Sequence, residues 1–326
     1  MLSWRTTVAR SAFEMRRLEP LWNRLLRQQH HTIFQLFSWN RLAAEVFRDR
    51  LTPHIVCVEN DDGAAIIPAA IHHVSGQLEP LGETLFDYRD VLHVGDDDVL
   101  RAAWQELARI RRSLRVVSLQ DEAARDRWSD FHFHAFANAP QVDRHLTDER
   151  TFRAAHPRLA RQLRRLQRQG VVLRSCIGPR PEQIRHVYRA KREQFASASD
   201  NLFHDERRCE FMGAAASLAE SSCELFTLED RDAALVAALV SFREPGIRRC
   251  YTIYFNSAWA HYSPGVALLY EVTARSLGEH LSCDFMTGEH PYKQRLANSS
   301  RVLYKVELSA NEVAGIASYL AASHVA

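Results

Sequence analysis

Apolar positions recur at helical spacing through the first fifty residues and then change to strand-like runs, and the same change of period occurs again in the second half. Residues 15–29 set Leu18, Leu21, Trp22, Leu25 and Leu26 along one stripe. Residues 34–47 do the same with Phe37, Leu42, Val46 and Phe47, with Ser38 available as a cap. HIVCVEN (54–60), a turn at Asp61, Asp62 and Gly63, and AAIIPAAIHHV (64–74) then read as a hairpin. A helix over 97–111, a strand LRVVSL (114–119), a short helix at 121–128 and an alternating strand FHFHAF (131–136) complete the first half.

Hydrophobicity drops and charge rises between Gln141 and Arg153, which predicts a seam there and domains at 1–147 and 148–326. Pro157 and Gly170 bracket a helix with Leu159, Leu163 and Leu166 on one face and Arg158, Arg161, Arg165 and Arg168 on the other. That basic face is either a ridge for an anionic ligand or tRNA, or a solvated helix back. Helices over 181–195 and 205–219 lead into three antiparallel strands, CELFTLE (223–229), AALVAALVSFRE (233–244) and RRCYTIYFN (248–256), turned at 230–232 and at Pro245 and Gly246. The middle strand is apolar enough to lie centrally. Arg243, Arg248 and Arg249 read as edge-strand charges or as guides for an anionic carrier.

The stretch 261–293 organises this half. Ser263 reads as an N-cap, Pro264 suits the first helical position, and Leu268, Leu269, Val272 and Leu277 carry the apolar stripe to Gly278. LSCDFM (281–286) is strand-like, and a short helix at 291–296, a strand VLYKVEL (302–308) and a helix over 310–321 follow. A loop entering a helix N-terminus gathers backbone amides and the positive end of the dipole, which suits a phosphate.

Composition narrows the class. At 326 residues the chain has room for two domains. The apolar run at 233–240 is far too short to cross a bilayer, and MLSWRTTVAR has no apolar core of signal-peptide length, so no transmembrane segment and a cytoplasmic location are expected. A net charge of +2 speaks against a nucleic-acid protein by bulk electrostatics. The six cysteines have no CxxC pair, and His132 and His134 lack a third ligand at sensible spacing, so neither a disulfide framework nor a metal site is expected.

Tyr262-Ser263-Pro264-Gly265, Asp284-Phe285, Gly288-Glu289 and Tyr292-Lys293 together resemble the Gcn5-related N-acetyltransferase (GNAT) superfamily. Within it the likeness is to CelD-type proteins of cellulose and exopolysaccharide synthesis, relatives of the Fem aminoacyltransferases. The resemblance implies tandem α/β domains, each with a mixed, mainly antiparallel sheet flanked by helices. It also implies an acyltransferase moving an acyl group, by default acetyl, from acyl-CoA to an amine or hydroxyl of a sugar, lipid or cell-envelope precursor, by direct attack in a ternary complex. Where the superfamily has Gln/Arg-x-x-Gly-x-Gly/Ala, this chain has Tyr262-x-x-Gly265-x-Ala267. The resemblance places the donor phosphates on Tyr262, Ser263, Gly265, Val266 and Ala267, and the tyrosine in place of Gln/Arg leaves another acyl carrier open. It gives Tyr292 a proton for the departing thiolate and makes Tyr292 with Lys293 a support for developing charge. Asp284, set in an apolar strand, is either a base raised in pKa by burial or a structural partner of Lys293 or Arg295. Glu289 and His290 sit where a base or substrate anchor belongs, and Asp87 and Asp90 resemble an acceptor-binding Asp-Tyr-x-Asp segment. Two alternatives remain: a Fem-like transferase using charged tRNA, and a degenerate scaffold of the same fold.

Overall fold

The computed structural model describes residues 4–120, 131–196 and 202–322. The short helix expected at 121–128 lies outside the described residues. Two compact units divide the chain: residues 1–137 with 302–326, and residues 138–301.

The chain opens with a strand, not a helix. β1 (Arg5–Ala9) pairs antiparallel with β2 (Leu51–Glu59), and β2 with β3 (Ala64–His72). The short β4 (Leu78–Pro80) and β5 (Leu92–Val94) both pair with β3, and β4 lies parallel to β6 (Leu114–Gln120). The helix Asp97–Ala108 buries Val99, Leu100, Ala103, Trp104 and Leu107 against Val56, Val58 and Ile67 of the hairpin. Its N-terminus is capped by Asp96, whose side chain accepts from the Asp98 amide. The helices Glu19–Gln28 and Phe37–Val46 bring in an aromatic cluster, in which Trp22 meets Phe37 at 5.7 Å and Phe34 meets Trp39 at 5.6 Å. Ser38 is not the cap expected of it. Thr32 and Gln35 form a capping box one turn earlier, and Ser38 lies inside the helix.

Burial lowers the pKa of His54 on β2 from its ordinary 6.5, and the nearby charge of Arg10 acts in the same direction. A histidine whose folded pKa lies below its unfolded one binds more protons when unfolded. Its contribution is therefore complete above pH 6.5 and is lost as pH falls through that value toward the lower folded pKa. The urea midpoint should accordingly drop on moving from pH 7.5 to pH 5.5, and His54→Gln should show a smaller drop; an identical drop in the variant would remove His54 from the account.

The second unit runs from Asn138 within β7 (His134–Val142), which covers part of the strand expected at 131–136 but extends further, through β8 (Val172–Ile177), β9 (Cys223–Glu229), β10 (Leu235–Glu244), β11 (Ile247–Phe255) and β12 (Ser282–Asp284). The order across the sheet is β7-β12-β11-β10-β9-β8, antiparallel except for the parallel pair β11 and β12. As its apolar run predicts, β10 lies between two strands. The parallel pair is joined by the helix Pro264–Gly278. Its Leu268, Leu269, Val272 and Leu277 are buried with Leu163 and Leu166 of the helix Pro157–Arg168 in the core of this unit. Gly246 turns the β10–β11 hairpin at φ +76°, a value that side chains rarely adopt.

Compositional change and contact division fall at different places. The charged stretch at 143–148 is the loop between β7 and the capped helix Glu149–Ala155, inside the second unit. The last segment groups with the first unit because β13 (Ser299–Leu308) pairs antiparallel with β6, and Val313 of the helix Ala310–Ala322 enters the core around Trp104. Among the described residues no helix is long and apolar enough to cross a membrane.

Candidate active site

The site is built at the N-terminus of the helix Pro264–Gly278. After β11, a short 3-10 turn, Ser257–Tyr262, is capped by Asn256, whose Oδ1 accepts from the Ala258 amide at 3.0 Å. Ser263 then takes a left-handed conformation, φ 49° and ψ 51°. It holds the N-cap position with its backbone only: its carbonyl accepts from Ala267 N at 3.0 Å, and its hydroxyl makes no capping bond. A left-handed serine costs on the order of 1–3 kcal/mol, and here it frees a hydroxyl at the wall of a cleft. Pro264 has no amide hydrogen, and the amides of Gly265 and Val266 precede the first intrahelical bond. They lie at the positive end of a fifteen-residue helix.

That cleft, about 210 Å³, is walled by Ser263, Val266 and Tyr292 and, from the helix Pro157–Arg168, by Arg158, Leu159 and Gln162. Arg295 and Leu296 close it. The two arginines are exposed, so their guanidiniums meet a ligand without a large desolvation cost. Gln162 supplies a further observation: its Oε1 is buried with no hydrogen-bond partner among the described residues. A buried orphan acceptor costs about 1–3 kcal/mol, so a donor on a ligand would be rewarded there. Burial pushes the Tyr292 hydroxyl up to about 12, with the neighbouring Cys250 adding to the shift, so at neutral pH it is a protonated donor. The His290 ring stacks on Tyr292 at 5.6 Å with planes 12° apart. Desolvation, then the charges of Lys293 and Lys191, lower the pKa of His290, which keeps it neutral and able to accept a proton.

β12 is short, and this shapes the neighbourhood. It pairs with β11 only from Ile247 opposite Ser282 to Arg249 opposite Asp284, whereas β11 continues to Phe255. A bulge at Val240 and Ser241 shifts the register, from Thr252 opposite Val240 to Cys250 opposite Ser241. Among the described residues no strand pairs with β11 beyond Arg249 on the β12 side, and Lys191 Nζ donates to the Ile253 carbonyl at 3.2 Å.

Other expected residues fall elsewhere. Asp284 is 2% exposed. One of its oxygens accepts from Arg249 Nη1 at 2.7 Å and the other from the Met286 amide at 2.7 Å. Arg249 is therefore one partner of this carboxylate, and the bond to the Met286 amide fixes the turn after β12. Arg248 and Arg249 are not edge charges: each is 1% exposed. Arg249 also pairs with Glu244 at 2.7 Å. Arg248 Nε donates to Glu224 at 2.8 Å, and its Nη1 donates to the Ser276 hydroxyl. Lys293 is nearly buried, donates from Nζ to the Thr287 carbonyl at 2.6 Å, and does not line the cleft with Tyr292. Glu289 is exposed and accepts from Asn138 Nδ2 at 2.7 Å. Tyr262 packs against His261 and Trp259 beside the core, and Ala267 is buried in it. Asp87 and Asp90 belong to the first unit, where Asp90 Oδ1 accepts from the Val91 amide at 2.8 Å.

Gly265 faces the sheet. A Cβ added there would lie 3.5 Å from Ile253 and Phe255, an ordinary contact. Gly265→Ala should thus leave stability unchanged or raise it by up to about 1 kcal/mol, because alanine loses less entropy in a helix. A lowered melting temperature would show that this backbone needs glycine after all.

Sequence reasoning missed Gln162, Arg295 and Leu296, and gave Arg158 only as part of a basic face. The one available signal was the i, i+4 spacing of Arg158 and Gln162 beside the apolar stripe.

Residues 150–294 match the acetyltransferase (GNAT) domain. The match spans most of the cleft wall, the Pro264 helix and the turn up to Lys293 and Gln294, and stops short of Arg295 and Leu296. Solved structures share the architecture of the whole chain. A conserved protein of unknown function from Bacteroides thetaiotaomicron superposes with a TM-score of 0.62 at 10% identity, over 95% of this chain and 100% of its own. The C-terminal domain of a putative lysylphosphatidylglycerol synthetase from Agrobacterium fabrum does so at 0.59 and 12% identity, over 93% and 95%. FemX follows at 0.54 and 9% identity, over 88% and 98%. At these identities the likeness is one of fold. No curated protein is matched. The GNAT architecture, mixed and mainly antiparallel sheets flanked by helices, is the fold of this chain.

Proposed function

We propose that the GNAT domain transfers an acyl group from a thioester carrier, acyl-CoA, to an amine or hydroxyl acceptor on a sugar, lipid or cell-envelope precursor. The observation that carries this reading is the convergence on one cleft of Ser263 and Val266 at the helix N-terminus with Arg158, Arg295 and Tyr292. Amides at a helix N-terminus and two arginines suit the phosphates of such a carrier. The orphan Gln162 Oε1 suits an amide or hydroxyl donor on it, and the backbone edge of β11 suits an extended amide-bearing arm.

The acceptor's lone pair attacks the thioester carbonyl, forming the new bond before the carbon–sulfur bond breaks. Tyr292 gives its proton to the leaving sulfur, and His290 takes the proton released by the acceptor. Tyr292 is reprotonated as His290 gives that proton back through the stacked pair or solvent. Asp284 and Lys293 act by holding the turn 284–293 in shape.

A second reading has its own observation. Arg158, Arg161, Arg165 and Arg168 are all exposed along the helix Pro157–Arg168, a ridge that would suit the backbone of a charged tRNA as aminoacyl donor. FemX and the lysylphosphatidylglycerol synthetase domain share this fold. A thermal-shift panel separates the readings. Acetyl-CoA at about 100 times its dissociation constant should add about 2.7 kcal/mol of stability. A shift with tRNA and none with any CoA ester favours the second reading. No shift with either favours a scaffold that has kept the fold and lost the reaction.

A further inference from the structure

A second cavity, about 520 Å³, lies in the first unit between the edge of its sheet and the helix Glu19–Gln28. Its floor follows from the strand register. Arg5 pairs opposite Glu59 and Thr7 opposite Cys57, so these four residues share one face of β1 and β2. Its wall follows from helical spacing: Arg17, Arg24 and Arg27 line the cavity, with Leu18, Pro20 and Leu21 between them. Four guanidiniums therefore surround one carboxylate. That carboxylate only partly engages two of them, Arg5 at 3.6 Å and Arg24 at 3.8 Å, and both arginines are more than half exposed. Arg17 and Arg27 have no carboxylate within ion-pair distance among the described residues.

Like charges held around a concavity repel one another, and a polyanion seated between them relieves that repulsion. Guanidiniums match phosphate oxygens in pairs of parallel hydrogen bonds. The volume falls in the range of small-molecule sites, and the leucines and proline offer an apolar seat for an organic portion. We propose that this cavity is a binding site for a phosphate-bearing small molecule, one carrying two or three negative charges. It is separate from the acyl-transfer site and does not depend on that reading. It binds without reacting: burial pushes the Cys57 thiol at its floor up to about 12, so no thiolate is present as a nucleophile.

Inorganic pyrophosphate, titrated calorimetrically into the full chain at fixed ionic strength, tests the proposal. The titration uses the Arg158→Gln/Arg295→Gln background so that the cleft of the GNAT domain does not compete. One site is expected. Arg17→Gln with Arg27→Gln should weaken it at least about tenfold, and both side chains are exposed, so the unliganded melting temperature should hold. Glu59→Gln should tighten it about fivefold, because it removes the carboxylate that competes for Arg5 and Arg24. A purely structural role for Glu59 predicts weaker binding instead. Absence of a site, pyrophosphate affinity unmoved by the arginine pair, or weakening on Glu59→Gln would each overturn the proposal. So would binding to vesicles of anionic phospholipid in place of pyrophosphate.

Discussion

Arg249→Met is expected to cost the second unit about 3–5 kcal/mol, the loss typical when one member of a buried ion pair is removed. Arg249 is 1% exposed and holds two carboxylates at 2.7 Å, Glu244 from its own hairpin and Asp284 from the neighbouring strand. Methionine fills similar space but leaves both carboxylates buried without this cation. The penalty comes from stranded charge rather than from lost packing, so a control variant separates the two. Arg249→Met combined with Glu244→Leu and Asp284→Leu should recover most of the loss, since an apolar set of similar volume replaces a buried pair at little cost. Part of the loss should persist, because Asp284 also accepts from the Met286 amide, where the backbone stands at φ +61°. Chemical denaturation followed by circular dichroism measures both. A single-variant loss below about 1 kcal/mol would mean that water reaches these carboxylates.

The same residues show where a sequence stops being readable. Two adjacent arginines on a strand point to opposite faces, and one face of an antiparallel ribbon is commonly wet, so solvated charge was the natural expectation. The partners that bury them, Glu224, Glu244 and Asp284, sit on three different strands, and only the folded pairing brings them within reach. Ordinary periodicity, by contrast, was sufficient for the Pro264 helix and for the ribbon β9–β10–β11, whose apolar residues are dense and whose turns carry Asp230 and Gly246. Edge strands left weak traces. RTTVA in β1 and VLRSCI in β8 turn much of their surface outward, and β4 and β5 have three residues each.

The site was legible to the same uneven degree. Ser263, Val266 and Tyr292 meet at the cleft because a short stretch of chain supplies all three, so a local motif reaches them. Arg158 and Gln162 arrive from a helix about a hundred residues earlier, and no local pattern states that they face that helix terminus. Lys293 shows the limit of a motif. It follows Tyr292 directly, yet successive residues of a short helix point some 100° apart, and its ammonium turns to the Thr287 carbonyl. Asp284 shows another. Its burial was readable from the apolar strand, but its pairing with Arg249 was not.

Tyr292→Phe should lower kcat for acyl transfer from acetyl-CoA about a hundredfold or more while moving KM little, the signature of a proton supplied only as the bond to sulfur breaks. The substitution removes one oxygen from a cleft wall and keeps the ring that stacks on His290, so the fold should be retained. Arg158→Gln and Arg295→Gln, which line the same cleft, should do the opposite on the acyl-CoA reading, raising KM with kcat held, as expected of binding that is equal before and during reaction. The pH profile adds an independent check. With its pKa near 12, Tyr292 stays protonated throughout the working range and should leave no basic limb below about pH 10. His290, lowered from 6.5, must be neutral to accept a proton, so kcat/KM should rise with pH through a value below 6.5 and then level off. His290→Ala should remove that acid limb together with most of the rate. If Tyr292→Phe keeps full kcat and only KM suffers, the tyrosine is a wall of the cleft and the leaving sulfur takes its proton from water.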